Sequence, residues 1–235
     1  MILNNMVIYK KNLIDTCFDN FNIKSVAEAG CVYGVDGVYS RYIAETKPFV
    51  NRLVMIDTNW NENAIEVCRK YSKIEIINDN FAEKDVIYNK IGNVDLVILF
   101  DVLLHQVSPD WYRVLQMYSE ISDYILIYNP QYTKSKISIR LFDLGEEEYY
   151  NNIPNDNKNE GYYKDLFKNF FTYIEYYKRI QRDLHNIWQW GITDSDLLHV
   201  MDKLGFDLFD FQTYGLFYGL KNFENKSFIF KKRKL

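Results

Sequence analysis

This chain of 235 residues has few of the residues that staple or interrupt a fold: three cysteines, four prolines, three histidines. Cys17, Cys31 and Cys68 are scattered and form neither a disulfide framework nor a metal-ligand signature, so no metal is expected. Neither sign of charge dominates, with 28 Lys and Arg against 32 Asp and Glu. The formal net charge is −4, and no basic patch suited to a phosphate backbone occurs, which argues against a nucleic-acid partner. The short run Lys231-Lys-Arg-Lys234 reads as a solvated end. No apolar run approaches the roughly 20 residues of a membrane-crossing helix, so no membrane partner is expected. Residues 1–24 mix apolar residues with Lys10, Lys11, Asp15 and Asp19, unlike a secretory leader. A cytoplasmic protein is the expectation.

Core-forming material is plentiful, at 48% hydrophobic residues, enough for one domain carrying an insertion. Apolar patterning alternates between strand and helix. Helical spacing covers residues 5–22. Strands are predicted at 25–29, 52–56, 74–77, 94–100 and 124–128, the last stopped by Pro130. Val35, Val38, Tyr39, Tyr42 and Ile43 give a helix beginning right after Gly34, and Ala64, Ile65, Cys68 and Tyr71 give another. Ser108-Pro109 reads as the capped start of a helix through Ile121. Val94–Phe100 is almost wholly apolar, as a strand covered on both faces should be. Such alternation predicts a parallel sheet with helices on both sides. A helix at about 194–204 is followed by strands at 206–213 and 226–231. Their connector, Tyr214–Asn225, has no helical stripe, so it predicts an antiparallel pair rather than another parallel crossover.

Two segments then carry chemistry. In Ser25–Gly37 a short apolar run ends in Glu28 and is followed by Gly30, Gly34 and Gly37. In Arg52–Asp57 a second apolar run ends in an acid. Glycines let backbone approach a ligand, and an acid closing the next strand can accept ribose hydroxyls. Glu28-x-Gly30-x-x-x-Gly34 resembles the first motif of class I S-adenosylmethionine (SAM) dependent methyltransferases. It departs from that motif at Val32, where the family has a third glycine. A sheet whose last strand is antiparallel is also that family's ending, whereas a nicotinamide-binding Rossmann domain, the third reading, would continue with βαβ units.

The resemblance implies a Rossmann-like, doubly wound sheet of seven strands that binds SAM. It places Glu28, Gly30 and Gly34 at the methionine end and Asp57 with Thr58 at the ribose. Asp79, Asn80 and Phe81 fall at the adenine, and Asp101 at the SAM amino group or the substrate. Each has a plainer alternative in turn chemistry or a solvated strand end. His105, one helical turn past Asp101, is the candidate general base, since its pKa suits taking a proton from an alcohol. A packing role in the loop before Ser108 stands beside that reading.

Residues 131–190 interrupt the core (1–130 and 191–235) as an aromatic-rich insertion. A polar, loop-like part from Gly145 to Gly161, including Asn155–Asn159, precedes a predicted long helix. Tyr163, Leu166, Phe167, Phe170, Ile174 and Tyr177 line one face of that helix, and Phe171, Tyr173 and Tyr176 spread around it. A substrate lid or a homodimer interface would cover such a helix. Tyr132, His185 and Trp188 are the candidate acceptor contacts. Lys134, Lys136 and Arg140 would meet an anionic acceptor or simply face solvent. Asn129-Pro-Gln-Tyr132 is similar to the Asn-Pro-Pro-Tyr signature of nucleic-acid amino-methyltransferases, but it closes the fifth strand rather than the fourth. The family type implied is a bacterial small-molecule methyltransferase. O-methylation of a sugar, sugar phosphate or nucleotide-linked glycan precursor is the leading expectation. N-methylation of a small amine, or a non-catalytic SAM-binding scaffold, is the alternative.

Overall fold

The computed structural model describes residues 7–154, 158 and 161–234; the expected turn run Asn155–Asn159 falls mostly outside them. Seven strands form one sheet. They are β1 (Ser25–Ala29), β2 (Arg52–Asp57), β3 (Ile74–Asn78), β4 (Val94–Phe100), β5 (Ser122–Tyr132), β6 (Phe206–Leu216) and β7 (Phe223–Lys232). Their spatial order is β6-β7-β5-β4-β1-β2-β3. β7 is antiparallel to both its neighbours, and the other pairings are parallel. The Rossmann-like sheet with a reversed last strand is therefore as expected.

Alternating residues feed two cores. Leu53, Leu96, Ile98 and Leu126 pack under helices α1 (Ile8–Asn20) and α2 (Val38–Thr46). The short helix α3 (Glu62–Arg69) starts at Asn61, whose side chain accepts the Ala64 N–H at 2.8 Å. On the other face, Val54, Val97, Leu99, Ile125 and Ile127 pack with α4 (Trp111–Ile121) and with the helix Asp194–Lys203 that precedes β6. Each fully buried Leu or Ile of this kind contributes about 1.5–3 kcal/mol.

Several local expectations are corrected. α2 begins at Val38, because Gly34, Asp36 and Gly37 all take left-handed backbone and spend residues 33–37 on turns. α4 begins at Trp111 with Asp110 before it, since Ser108 has φ 52° and cannot take the extended backbone of a cap. β5 runs through Pro130 to Tyr132. β4 ends opposite Tyr128, so beyond it β5 is an edge on that side, where a strand tolerates proline.

The long helix expected around Tyr163–Tyr177 does not form. Its place is taken by tight turns and a two-residue ladder, Tyr173–Ile174 against Arg179–Ile180, reversed through Lys178 at φ 50°. The run Phe170–Ile174 is aromatic and β-branched, which suits extended backbone better than helix. A short helix, α5 (Glu146–Asn151), stands where a loop was expected, with three glutamates in its first turn. A further core buries Phe142, Tyr149, Tyr163, Leu166, Ile187 and Trp188 together with Leu104 and Phe223. Phe171, Tyr173 and Tyr176 stay exposed.

Candidate functional site

The strand order reverses between β1 and β4, and open α/β sheets receive ligands outside the carboxyl ends of the strands at such a point. The loops after β1, β2 and β4 meet there. Gly30 N–H donates to the Ile56 carbonyl (2.9 Å) and Asp101 N–H to the Tyr128 carbonyl (2.7 Å). Gly30 has φ 68°, and a Cβ there would lie 2.4 Å from Cγ1 of Val102, so only glycine lets the β4 loop close onto the β1 turn. Gly34 has φ 73°, and a Cβ there would meet nothing within 4 Å; its backbone faces open space that a ligand can approach.

Val32, the departure from the motif, has a local explanation. Its φ is not left-handed, and its side chain is buried against Met55, Ala64 and Cys68. No glycine is required at that position. Its N–H donates to Oδ2 of Asp57 at 2.8 Å. Asn59 N–H donates to Oδ1 at 2.9 Å. Asp57 is buried at the end of β2, and each oxygen keeps a further lone pair for a ligand hydroxyl.

Glu28 is buried and accepts both the N–H (3.0 Å) and the Oγ–H (2.5 Å) of Ser40 in α2. Burial pushes its carboxyl up to about 7, against the Ser40 bonds and the pull of the Lys10 ammonium. Its observed contacts fasten α2 to β1. Asp79 accepts from Lys90 Nζ (2.6 Å) and from Asn80 N–H (2.8 Å), and Lys90 holds its carboxyl below the usual range. Asn80 accepts the Ala82 N–H at 3.0 Å, a turn of its own. Phe81 leans on the glycine turn, its ring edge 3.6 Å from a Cβ placed on Gly30. Thr58 is exposed beside Asp57.

Asp101 follows β4 at φ 57°. Its Oδ2 accepts from Lys10 Nζ at 2.5 Å, and its Oδ1 is buried without a hydrogen-bond partner among the described residues. Lys10 was missed in the sequence. It lies on α1, in one stripe with Leu13, Ile14 and Cys17, and a lysine on an apolar stripe was the available signal.

His105, on a single 3-10 turn (Leu103–His105), is half-buried. Its Nδ1 meets the Ile187 carbonyl at 2.9 Å, so the proton sits on Nδ1 and the lone pair on Nε2. Burial lowers its pKa, opposed by that bond and by Asp101. His185 returns the contact from the insertion, donating through Nε2 to the Val107 carbonyl at 2.8 Å. Burial takes it down to about 4. The two histidines thus pin the insertion to the β4 loop from both sides. Tyr132 and Trp188 are buried in the insertion's core. Lys134 pairs with Glu148 at 2.9 Å, and Arg140 donates to Gln189 at 2.8 Å and reaches Asp183 at 3.4 Å. Asn129 and Gln131, on one face of β5, are fully buried; the Asn129 Oδ1 and both Gln131 amide atoms have no partner among the described residues.

A cleft at the opposite end of the sheet, lined by Ser25, Asp95, Glu120, Asp123 and Lys232, lies far from these loops. Within it Asp95 accepts the Ser25 N–H and Oγ–H, and Lys232 donates to the Ser119 carbonyl. Among the described residues no group of three His, Cys, Asp or Glu is arranged to hold a metal, and no helix is long and apolar enough to cross a membrane.

No family model and no curated protein matches the sequence. Solved structures do match the fold. A 1,6-didemethyltoxoflavin-N1-methyltransferase of Burkholderia thailandensis, with S-adenosylhomocysteine bound, superposes with a TM-score of 0.59 at 10% identity, over 98% of this chain and 80% of that one. The N-terminal domain of EvdMO1 with S-adenosylhomocysteine gives 0.58 at 10% identity, over 96% and 80%. The magnesium protoporphyrin IX methyltransferase of Synechocystis PCC 6803 with SAM bound gives 0.55 at 10% identity, over 99% and 84%. The chain has the Rossmann-like fold of class I methyltransferases, in agreement with the resemblance read from its motifs.

Proposed function

We propose that this protein is a SAM-dependent methyltransferase acting on a small polar acceptor, with O-methylation of a sugar-like hydroxyl compound as the leading reading. The observation that carries it is the buried Asp57 carboxylate, bonded to the backbone of the β1 glycine turn at the point where strand order reverses. Open backbone over Gly34 and the unpartnered Oδ1 of Asp101 fit the same cofactor. The shared fold with methyltransferases crystallised with SAM or S-adenosylhomocysteine supports it.

When bound, SAM supplies an electrophilic methyl group on a sulfonium. This chain's residues have to hold the acceptor oxygen in line and take its proton. His105 is suited to the second task, because the Ile187 carbonyl fixes its tautomer with the lone pair on Nε2, and its lowered pKa keeps that lone pair free at neutral pH. Buried neutral amides at Asn129 and Gln131 suit hydroxyls better than charges, whereas Lys134 and Arg140 already have partners within the insertion. Adenine would lie toward Phe81. The lid or dimer role of residues 131–190 is part of this reading, and the His105–Ile187 and His185–Val107 contacts favour the lid.

Incubation with methyl-labelled SAM and a panel of small hydroxyl and amine compounds tests it. Label should pass to a hydroxyl compound, and mass spectrometry should place the methyl on oxygen. Transfer only to nitrogen would favour amine methylation. Binding of SAM without transfer to any acceptor in cell extracts would favour a scaffold.

A further inference from the structure

Lys10 is a charged residue buried where buried charge is costly. Its side chain is 10% exposed; it shares the buried stripe of α1 with Leu13, Ile14 and Cys17 and reaches Asp101 just past β4. Three rings surround the ammonium: Tyr128 with its centroid at 4.9 Å, Phe100 at 5.3 Å and Tyr39 at 5.7 Å. A cation over aromatic faces gains electrostatic attraction that strengthens as water is excluded. Asp101 meets the ammonium through Oδ2, while its Oδ1 is buried and unpartnered among the described residues. An unpaired carboxylate oxygen of that kind costs free energy until a donor meets it. Tyr39 is itself anchored, its hydroxyl accepting the Val7 N–H at 3.2 Å. The pair sits over the reversal of strand order, between the end of β1, where its charge reaches Glu28, and the end of β4.

Building on the SAM reading above, we propose that the Lys10–Asp101 pair is the receptor for the amino-acid end of the cofactor. That end is a zwitterion, one ammonium and one carboxylate a few bonds apart. The protein offers the complementary zwitterion. Asp101 Oδ1 takes the cofactor ammonium, and the remaining N–H donors of Lys10 take the carboxylate. Four alternating charges then satisfy one another in a site sheltered by Tyr39, Phe100 and Tyr128, where charge-assisted hydrogen bonds are strongest. Within this assignment Lys10 is a cofactor-binding residue supplied by the N-terminal helix, and its aromatic surround keeps the ammonium in place before the ligand arrives.

The test titrates three adenosine compounds into wild type and variants by calorimetry. At the amino-acid end, S-adenosylhomocysteine carries both charges, decarboxylated SAM the ammonium without the carboxylate, and 5′-methylthioadenosine neither. Lys10→Met preserves the length of the stem within the rings. It should weaken S-adenosylhomocysteine by about 10- to 100-fold and leave 5′-methylthioadenosine within about twofold. Lys10→Arg should recover part of the loss. Decarboxylated SAM should be indifferent to Lys10→Met but weakened by Asp101→Asn. Equal losses for S-adenosylhomocysteine and 5′-methylthioadenosine in Lys10→Met would make Lys10 a structural tie for α1 and overturn the assignment, as would an unchanged affinity for S-adenosylhomocysteine. If wild type binds none of the three compounds, the cofactor reading itself is wrong. Melting curves of each variant separate a binding loss from unfolding, and Lys10→Gln provides a second neutral variant.

Discussion

At the scale of single residues, the glycine turn separates structural from ligand-facing positions. A Cβ on Gly37 would lie 2.2 Å from Cε of Met55 and 3.0 Å from Sγ of Cys68, at φ 68°. Gly37→Ala should therefore cost about 2–4 kcal/mol in a urea melt, from strain and overpacking together. Gly34→Ala meets open space and should cost only about 1–2 kcal/mol of backbone strain, while weakening S-adenosylhomocysteine binding. Equal stability losses would contradict this division. His105→Ala should lower kcat on the true acceptor by about 10²–10⁴-fold and leave S-adenosylhomocysteine affinity within about twofold. Turnover surviving nearly intact would leave His105 only its contact with Ile187. His185 makes a pH prediction. Its folded pKa, near 4, is below the unfolded value, so protonation favours the unfolded chain. The stability is fully present above about pH 6.5 and is lost as pH falls toward 4, at up to about 1.4 kcal/mol per pH unit. Urea melts of wild type and His185→Gln should diverge through that window and run parallel above it. Parallel curves throughout would refute the assignment.

At the scale of elements, residues 141–188 are held by a packed aromatic core shared with Leu104 and Phe223 rather than by a long helix. Tyr149 is fully buried, stacks on Phe142 with ring centroids 4.6 Å apart, and donates to the Trp188 carbonyl at 3.0 Å. Tyr149→Ala should cost about 3–5 kcal/mol of stability. The exposed pair Phe171 and Tyr176 can be made serine with little change, within about 0.5 kcal/mol. If light scattering shows dimers that these serines dissociate, the exposed aromatics are an interface rather than spare surface. Strands β1 to β4 were legible because each is an apolar run with an acid or glycine at its end. The run after Tyr163 was not, because period and composition disagreed there. The 3.6-residue spacing of Phe167, Phe170 and Ile174 said helix, and tertiary packing of Phe167 and Phe170 on Phe142, with Phe167 also on Tyr149, won. β5 was cut short because Pro130 reads as a stop unless its neighbour strand is known to have ended.

At the scale of the whole molecule, the topology brings together residues far apart in sequence, and that is where pattern reading ran out. Gly30, Asp57 and Asp101 were legible as strand-end residues, and the fold does gather them at one edge. Lys10 and Ser40 were not, because their partners Asp101 and Glu28 lie 91 and 12 residues away, and nothing local signals those pairings. Calorimetric titration of S-adenosylhomocysteine into wild type and Asp57→Ala tests whether this edge binds SAM through Asp57. Wild type should bind S-adenosylhomocysteine and not NAD, and a folded Asp57→Ala should lose about 1.5–3 kcal/mol of that binding, some 10- to 150-fold. Binding of NAD in place of S-adenosylhomocysteine would overturn the SAM site, and an Asp57→Ala affinity equal to wild type would remove Asp57 from it.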